Sequence, residues 1–253
     1  MIGYIFCLPR QLFHVPYSTV VTDRNEELLG ARIASDGQWR FPPRKTTPEK
    51  IKQCLITFED KHFYHHWGVN PLSTGRALYQ NLKNKRVVSG GSTLTMQTIR
   101  LARNKPRTIG EKVIEMIWAT RLEFRTSKEE ILSMYVSHAP FGGNVVGLDA
   151  AAWRYFGHSA EDLSMGGISH AGRPCPMPPA MIHLSKGRKT LLSKRNRLLK
   201  QLFEEEIIDA STYELAISEP LPDEPHPLPQ IAPPPGYPLL SRKKRIIYPL
   251  NHR

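Results

Sequence analysis

Apolar residues alternate near the start of the chain and recur at helical spacing through its middle. The pattern predicts a short β-hairpin followed by a mainly α domain. Thr19 to Val21 and Leu28 to Ile33 read as short strands, and the polar run Asp23-Arg24-Asn25-Glu26 between them suits a turn. From Thr47 to about Gly157 the spacing is helical. Thr47 is expected to cap the first helix, with Pro48 at its first position and Ile51, Cys54, Leu55 and Phe58 on its inner side. Asn70-Pro71 opens a second helix, whose apolar side is Leu72, Leu78, Tyr79 and Leu82. Thr108 with Glu111, and Ser127 with Glu130, have capping-box spacing. The helix after Thr108 carries Ile109, Val113, Met116, Ile117, Thr120 and Phe124 on one stripe, while Lys112 and Glu115 share another face. A further helix from about Val146 ends at Gly157, a residue type suited to the position just past a helix.

Past Gly157 the pattern weakens. Ser159 to Asp162 resembles a helix start, but Met165 to Pro179 holds three glycines and four prolines, through which no helix is expected to run. Helical spacing returns at Leu191, Leu198, Leu199, Leu202 and Phe203. From Pro220 the chain is proline-rich, is expected to be extended or disordered, and ends near the basic run Arg242-Lys243-Lys244-Arg245. These shifts divide the sequence into a leading segment 1–16, a domain 17–219 and a tail 220–253.

Composition narrows the class. With 253 residues, 40% of them hydrophobic, there is ample material for a buried core. A formal net charge of +12 calls for an anionic partner, either nucleic acid, a membrane surface or a phosphorylated substrate. The basic run is tail-like and no recognition motif appears, so nucleic acid is not expected. Cys7, Cys54 and Cys175 form no C-x-x-C pair, and His62, His65 and His66 fit no common ligand spacing, so no metal site is expected from these residues. No segment reaches the ~20 apolar residues of a bilayer span, so an anchor would lie outside this chain or contact would be made sideways.

Several clusters carry candidate chemistry. Glu59-Asp60 closes the first apolar helix. Such a pair is either a solvated cap or a carboxylate at a cleft edge, raised in pKa enough to act as a general base. Ser89 to Gln97 is a glycine turn followed by hydroxyls entering a helix, which reads as an ordinary capped start or as a phosphate cradle. Lys112 and Glu115 are either a surface pair or a pyrophosphate-holding cation with a carboxylate that orients it or helps bind a metal ion.

Together these clusters resemble family 51 glycosyltransferases, the peptidoglycan transglycosylases. Residues 59–68 match that family's E-D-x-x-F-x-x-H-x-G motif, and residues 90–97 its G-G-S-T-[IL]-T-x-Q motif. Glu111 to Glu115 is similar to R-K-x-x-E with Glu111 in place of the arginine, and Lys128 to Ser137 is similar to K-x-x-I-L-x-x-Y-L-N with the last two positions changed. Arg195 to Leu199 resembles R-R-x-x-V-L more weakly. Asp36 to Pro42 and Ala139 to Gly143 look like the penicillin-binding protein 1C branch, and the resemblance covers about residues 17–233.

The resemblance implies a lysozyme-like, two-lobed helical fold with a cleft. It also implies an enzyme that joins lipid II to a growing glycan strand with inversion and releases undecaprenyl pyrophosphate. On that reading Glu59 is the catalytic base and Glu115 the second carboxylate. Ser92, Thr93, Gln97, Arg100, Arg107, Lys112, Lys128 and His66 bind substrate, and a divalent cation (Mg or Mn) assists. The implied setting is the periplasmic face of the inner membrane, against an anionic membrane surface and other cell-wall synthesis proteins. The alternatives are a lysozyme-like hydrolase with two carboxylates, or a non-catalytic fragment that binds glycan or lipid. Where the family places a buried helix, this chain has Met165 to Pro174. One permitted choice of codons, read one base later, turns that run into Trp-Ala-Glu-Ser-Ala-Thr-Leu-Ala-Val-Leu. Residues 165–178 are therefore expected to be an aberrant, frameshifted stretch in a shortened synthase.

Overall fold

The computed structural model describes residues 2–25, 27–84, 91–167, 188–222 and 225–230. In chain order the elements are a helical turn α1 (Ile2–Ile5), strands β1 (Thr19–Thr22), β2 (Leu28–Arg32) and β3 (Trp39–Arg40), and helices α2 (Glu49–Glu59), α3 (Pro71–Asn84), α4 (Leu94–Arg103), α5 (Ile109–Arg125) and α6 (Lys128–His138). Strands β4 (Pro140–Gly142) and β5 (Val145–Val146) follow, then α7 (Leu148–Tyr155), α8 (Arg188–Glu204) and α9 (Ala210–Ser218). The protein is mainly α, as the spacing predicts.

Helix α4 is the post around which the rest is arranged. Thr93 starts it by accepting the Met96 amide, and Asn104 stops it in the left-handed region at φ 45°. Leu94, Met96 and Ile99 are fully buried, each contributing about 1.5–3 kcal/mol. Thr95 and Thr98 are equally enclosed, and α4 packs against both α5 and α6. Only its last turn emerges, carrying Arg100 and Arg103. Two glycines let the chain close around this post. A Cβ on Gly68, which sits at φ +86°, would lie 2.5 Å from the Ala119 carbonyl oxygen of α5, and one on Gly91 would lie 2.7 Å from that of Ser73.

The hairpin forms as expected, with β1 antiparallel to β2 and Thr19 opposite Arg32. A second sheet, ordered β3-β5-β4, was not legible in the sequence. It gathers Phe41 and Val145 with Leu28, Ala150, Ala151 and Leu228 into a smaller core.

Several expectations need correction. Pro48, not Thr47, is the residue at the start of α2, and no side chain caps it. Ser127 and Glu130 form a full capping box, but Thr108 only accepts the Glu111 amide. Glu111 turns instead to Arg103. Most of the two apolar stripes faces outward: Leu72, Tyr79 and Leu82 of α3 are 85%, 65% and 69% exposed, as are Ile109 (88%) and Phe124 (69%) of α5, while Met116 packs against the core. The inward face of α5 is Glu115, Ala119 and Leu122. Leu8, Leu12 and Phe13, read as lying ahead of the domain, are buried in its main core.

The first part of the proline-rich segment also packs onto the domain. Leu221 and Leu228 are buried, the His226 amide bonds the Arg154 carbonyl at 2.6 Å, and Gln230 bridges to Gly30. Helix α9, capped by Asp209, has no forerunner in the sequence reading. In the glycine- and proline-rich run, residues 165–167 are helical. Residues 168–187, with most of the suspected frameshift and Cys175, lie outside the described residues, as do Ser89, Gly90 and the basic run near residue 245.

Candidate active site

Glu59 is the last residue of α2, and its position is fixed by its neighbour. Asp60 ends the helix by donating its amide to the Ile56 carbonyl. Its carboxylate accepts the Leu94 amide at the head of α4 at 3.0 Å and meets His66 Nε2 at 2.9 Å. His66 Nδ1 accepts the Gly68 amide at 3.1 Å. That acceptor role leaves the neutral ring's proton on Nε2, where it is donated to Asp60. Asp60 and His66, each 8% exposed, thus clamp the end of α2 to the start of α4.

The carboxylate of Glu59 is half-buried and accepts from Gln97 Nε2 at 3.0 Å. The Gln97 amide has only one useful orientation, because the hydroxyl of buried Tyr135 donates to its Oε1 at 3.1 Å. One turn further along α4, Arg100 grips Glu115 through two parallel bonds of 2.9 and 2.8 Å. Arg100 Nη2 also donates to Ser92 Oγ at 3.1 Å, and Lys112 Nζ donates to the same oxygen at 2.7 Å. Burial pushes the Lys112 ammonium below its ordinary pKa, the Arg100 charge adds to this, Glu115 opposes it, and exposed Arg107 contributes further lowering. Gln97 and Arg100 are three residues apart on one helix face, so their Cβ atoms lie about 5–6 Å from each other. The acid and the cation cluster therefore share one side of α4, where a carboxylate at one end faces a site short of negative charge at the other.

Not every expected residue reaches this groove. Glu59, Gln97, Ser92, Arg100, Lys112 and Glu115 come together, with Arg107 at the edge. Thr93, expected to bind substrate, is 3% exposed and spends its hydroxyl on the Gly68 carbonyl and the Met96 amide. His66 is spent on Asp60 and Gly68, as above. Lys128 donates to the His66 carbonyl at 2.8 Å and to Glu123 at 2.7 Å, and lies 4.4 Å over the Phe63 ring. These three hold the connection from α2 to α3 in place rather than facing the groove.

The sequence reading missed Asp60 as the clamp, Tyr135 as the residue that orients Gln97, and the pairing of Glu111 with Arg103. Asp60 and Tyr135 stand in quoted motifs, which was the available signal. Glu115 does not offer a cation site: both its oxygens are taken by Arg100, its near neighbour is Lys112, and no cluster of three or more ligating side chains occurs among the described residues.

The family model described as Transglycosylase matches residues 26–202. The chain is 36% identical over 228 residues to penicillin-binding protein 1C of Escherichia coli, covering 89% of this chain and 29% of that one. It is 32% identical over 175 residues to penicillin-binding protein 1A of Aquifex aeolicus, covering 69% and 24%. A crystal structure of penicillin-binding protein 1A from Haemophilus influenzae aligns at 17% identity and a TM-score of 0.44, covering 82% of this chain and 21% of that chain. The chain thus spans less than a third of the length of these curated relatives. Over most of its length, this chain belongs to the transglycosylase family.

Proposed function

We propose that this chain is a peptidoglycan glycosyltransferase that polymerises lipid II into glycan strands and releases undecaprenyl pyrophosphate. The observation that carries the reading is the placement of Glu59 and the Arg100–Lys112–Ser92 cluster on one side of α4. A sugar hydroxyl is a weak nucleophile at neutral pH and needs a base within hydrogen-bond reach. Glu59 takes the proton of the acceptor 4-hydroxyl as its oxygen bonds to the anomeric carbon of the lipid-linked strand. The bond from that carbon to the pyrophosphate oxygen breaks on the opposite face, giving inversion, and the electron pair leaves with the pyrophosphate. Lys112, with Arg100 and Arg107 beside it, receives the charge that develops there. Gln97 holds the Glu59 carboxylate in line with this path.

A hydrolase working through two carboxylates is disfavoured by the second acid, since Glu115 is closed into a bidentate pair with Arg100. The outward apolar side chains of α3 and α5 support work at a membrane surface, and the net charge of +12 supports an anionic one; the proposed setting is the periplasmic side of the inner membrane. No helix among the described residues is long and apolar enough to cross a membrane. The test is polymerisation of labelled lipid II by the purified chain and its Glu59→Gln variant. The variant is expected to lose at least about 10²-fold in rate at unchanged stability. Equal rates would remove Glu59 from its role.

A further inference from the structure

Beside the groove, behind His66, lies a second cavity of about 400 Å³ lined by His62, His65, His66, Ser73, Leu72 and Arg76, among others. Its character differs from the catalytic groove. No carboxylate lines it. Asp60, the nearest acid in the network, is held behind the His66 ring and is itself buried. Its lining residues include Arg76, Ser73 and the exposed histidines His62 and His65, whose imidazoles each carry at least one N–H in either protonation state, beside Asn70, Pro71 and Leu72. Two imidazoles and a third behind them suggest a metal, but no metal-ligating cluster occurs among the described residues. A lining that joins one permanent positive charge and several donor-bearing side chains to apolar residues, with no acid, fits the phosphate of an amphiphile.

The rim decides which anion. Leu72, which lines the cavity, is 85% exposed, and Trp67, next in the chain to His66, is 78% exposed. Arg76 is four residues beyond Leu72 and three before Tyr79, so the three share one outward face of α3; Leu82 and exposed Lys83 continue this outward apolar and basic surface toward the helix end. A free phosphate gains nothing from an apolar rim. A phospholipid places its phosphate at the level of basic side chains and its acyl chains against the leucines and tyrosine beyond them.

We propose that the His62–His65–Arg76 cavity is a headgroup site for an anionic phospholipid, seating the phosphate against Arg76 while Leu72, Tyr79 and Leu82 enter the acyl boundary. The proposal deepens the membrane-surface part of the function given above. It adds a localised lipid site separate from the residues assigned to the pyrophosphate.

The experiment is co-sedimentation of the full chain with two kinds of vesicle, phosphatidylcholine alone and phosphatidylcholine with about one third phosphatidylglycerol. The variants are Arg76→Gln, Arg76→Lys and the double change His62→Asn with His65→Asn. Arg24→Gln, at the exposed hairpin turn, is a charge-matched control. Arg76→Gln is expected to weaken binding to the phosphatidylglycerol vesicles about fivefold, the worth of one basic side chain at an anionic surface. The paired histidine change should weaken it less, and Arg76→Lys and Arg24→Gln should stay close to wild type. Lipid II polymerisation in detergent should be unchanged by Arg76→Gln.

Equal losses for Arg76→Gln and Arg24→Gln would mean diffuse attraction and would overturn the site. So would wild-type binding that ignores phosphatidylglycerol, or full competition by millimolar glycerol phosphate, which would point to a soluble phosphate. None of these outcomes touches the Glu59→Gln result, so a failed lipid site and a failed polymerase reading remain distinguishable.

Discussion

The pair formed by Arg100 and Glu115 should separate stability from activity more sharply than any other change in the groove. Their side chains are only 16% and 8% exposed, and two parallel hydrogen bonds join them. Arg100→Met keeps much of the stem volume but leaves the Glu115 carboxylate buried without its partner. Breaking such a pair from one side costs about 3–5 kcal/mol, a third or more of the stability of a marginal domain. Glu115→Met strands a guanidinium that still reaches Ser92 and sits beside Lys112, so its cost should be smaller. The double change, Arg100→Met with Glu115→Met, removes both charges together. It should lie within about 1 kcal/mol of wild type, giving a coupling energy of about 3 kcal/mol.

Urea unfolding followed by tryptophan fluorescence measures this directly, because Trp118 is on the same helix as Glu115, one turn away. Lipid II polymerisation is measured alongside. The double variant should be folded yet slower by about 10²–10³-fold, having lost a donor to the departing pyrophosphate. Single variants whose costs simply add in the double, or an Arg100→Met midpoint equal to wild type, would refute the argument that Glu115 is buried on the strength of its arginine.

Two further changes probe the same groove. Lys112 is held below its ordinary pKa of 10.5 by burial and by Arg100, so it binds its proton more weakly folded than unfolded. It therefore opposes folding at neutral pH, and the penalty fades as pH rises through the folded pKa toward 10.5. Lys112→Met should accordingly raise Tm at pH 7 while abolishing polymerisation, with the Tm gain narrowing in alkali; a lowered Tm at pH 7 would contradict this. Tyr135→Phe removes the donor that orients the Gln97 amide and should lower kcat several-fold with KM little changed, at a stability cost of about 1 kcal/mol. Wild-type kcat in that variant would show that Gln97 needs no such support.

How far the sequence carried the argument is clearest in α5. Its hydrophobic period is helical, as the spacing predicts, yet most of its apolar stripe, Ile109, Val113, Ile117 and Phe124, lies on the outside, and Met116 alone of the stripe's large side chains packs against the core. Periodicity reports that two faces differ and is silent on which one meets protein. The inward face looked polar because it contains Glu115, and a buried carboxylate becomes acceptable only once Arg100, fifteen positions earlier, is known to reach it. Leu72, Tyr79 and Leu82 of α3 likewise form an apolar side that faces outward.

The candidate site was more legible than the packing, since Glu59, Gln97, Lys112 and Glu115 stand in short motifs and Arg100 follows from the resemblance those motifs carry. Motif matching could not separate side chains that face the groove from those that build its walls. Thr93, His66 and Lys128 belong to the second kind, because each has its donors and acceptors used within the fold. If the proposed substrate, a lipid-linked sugar, is right, an apolar helix face has two possible destinations, core or lipid. The polar residue interrupting the other face tells them apart: where a buried partner for it can be named, as Arg100 can for Glu115, that other face is the core and the apolar stripe is the surface.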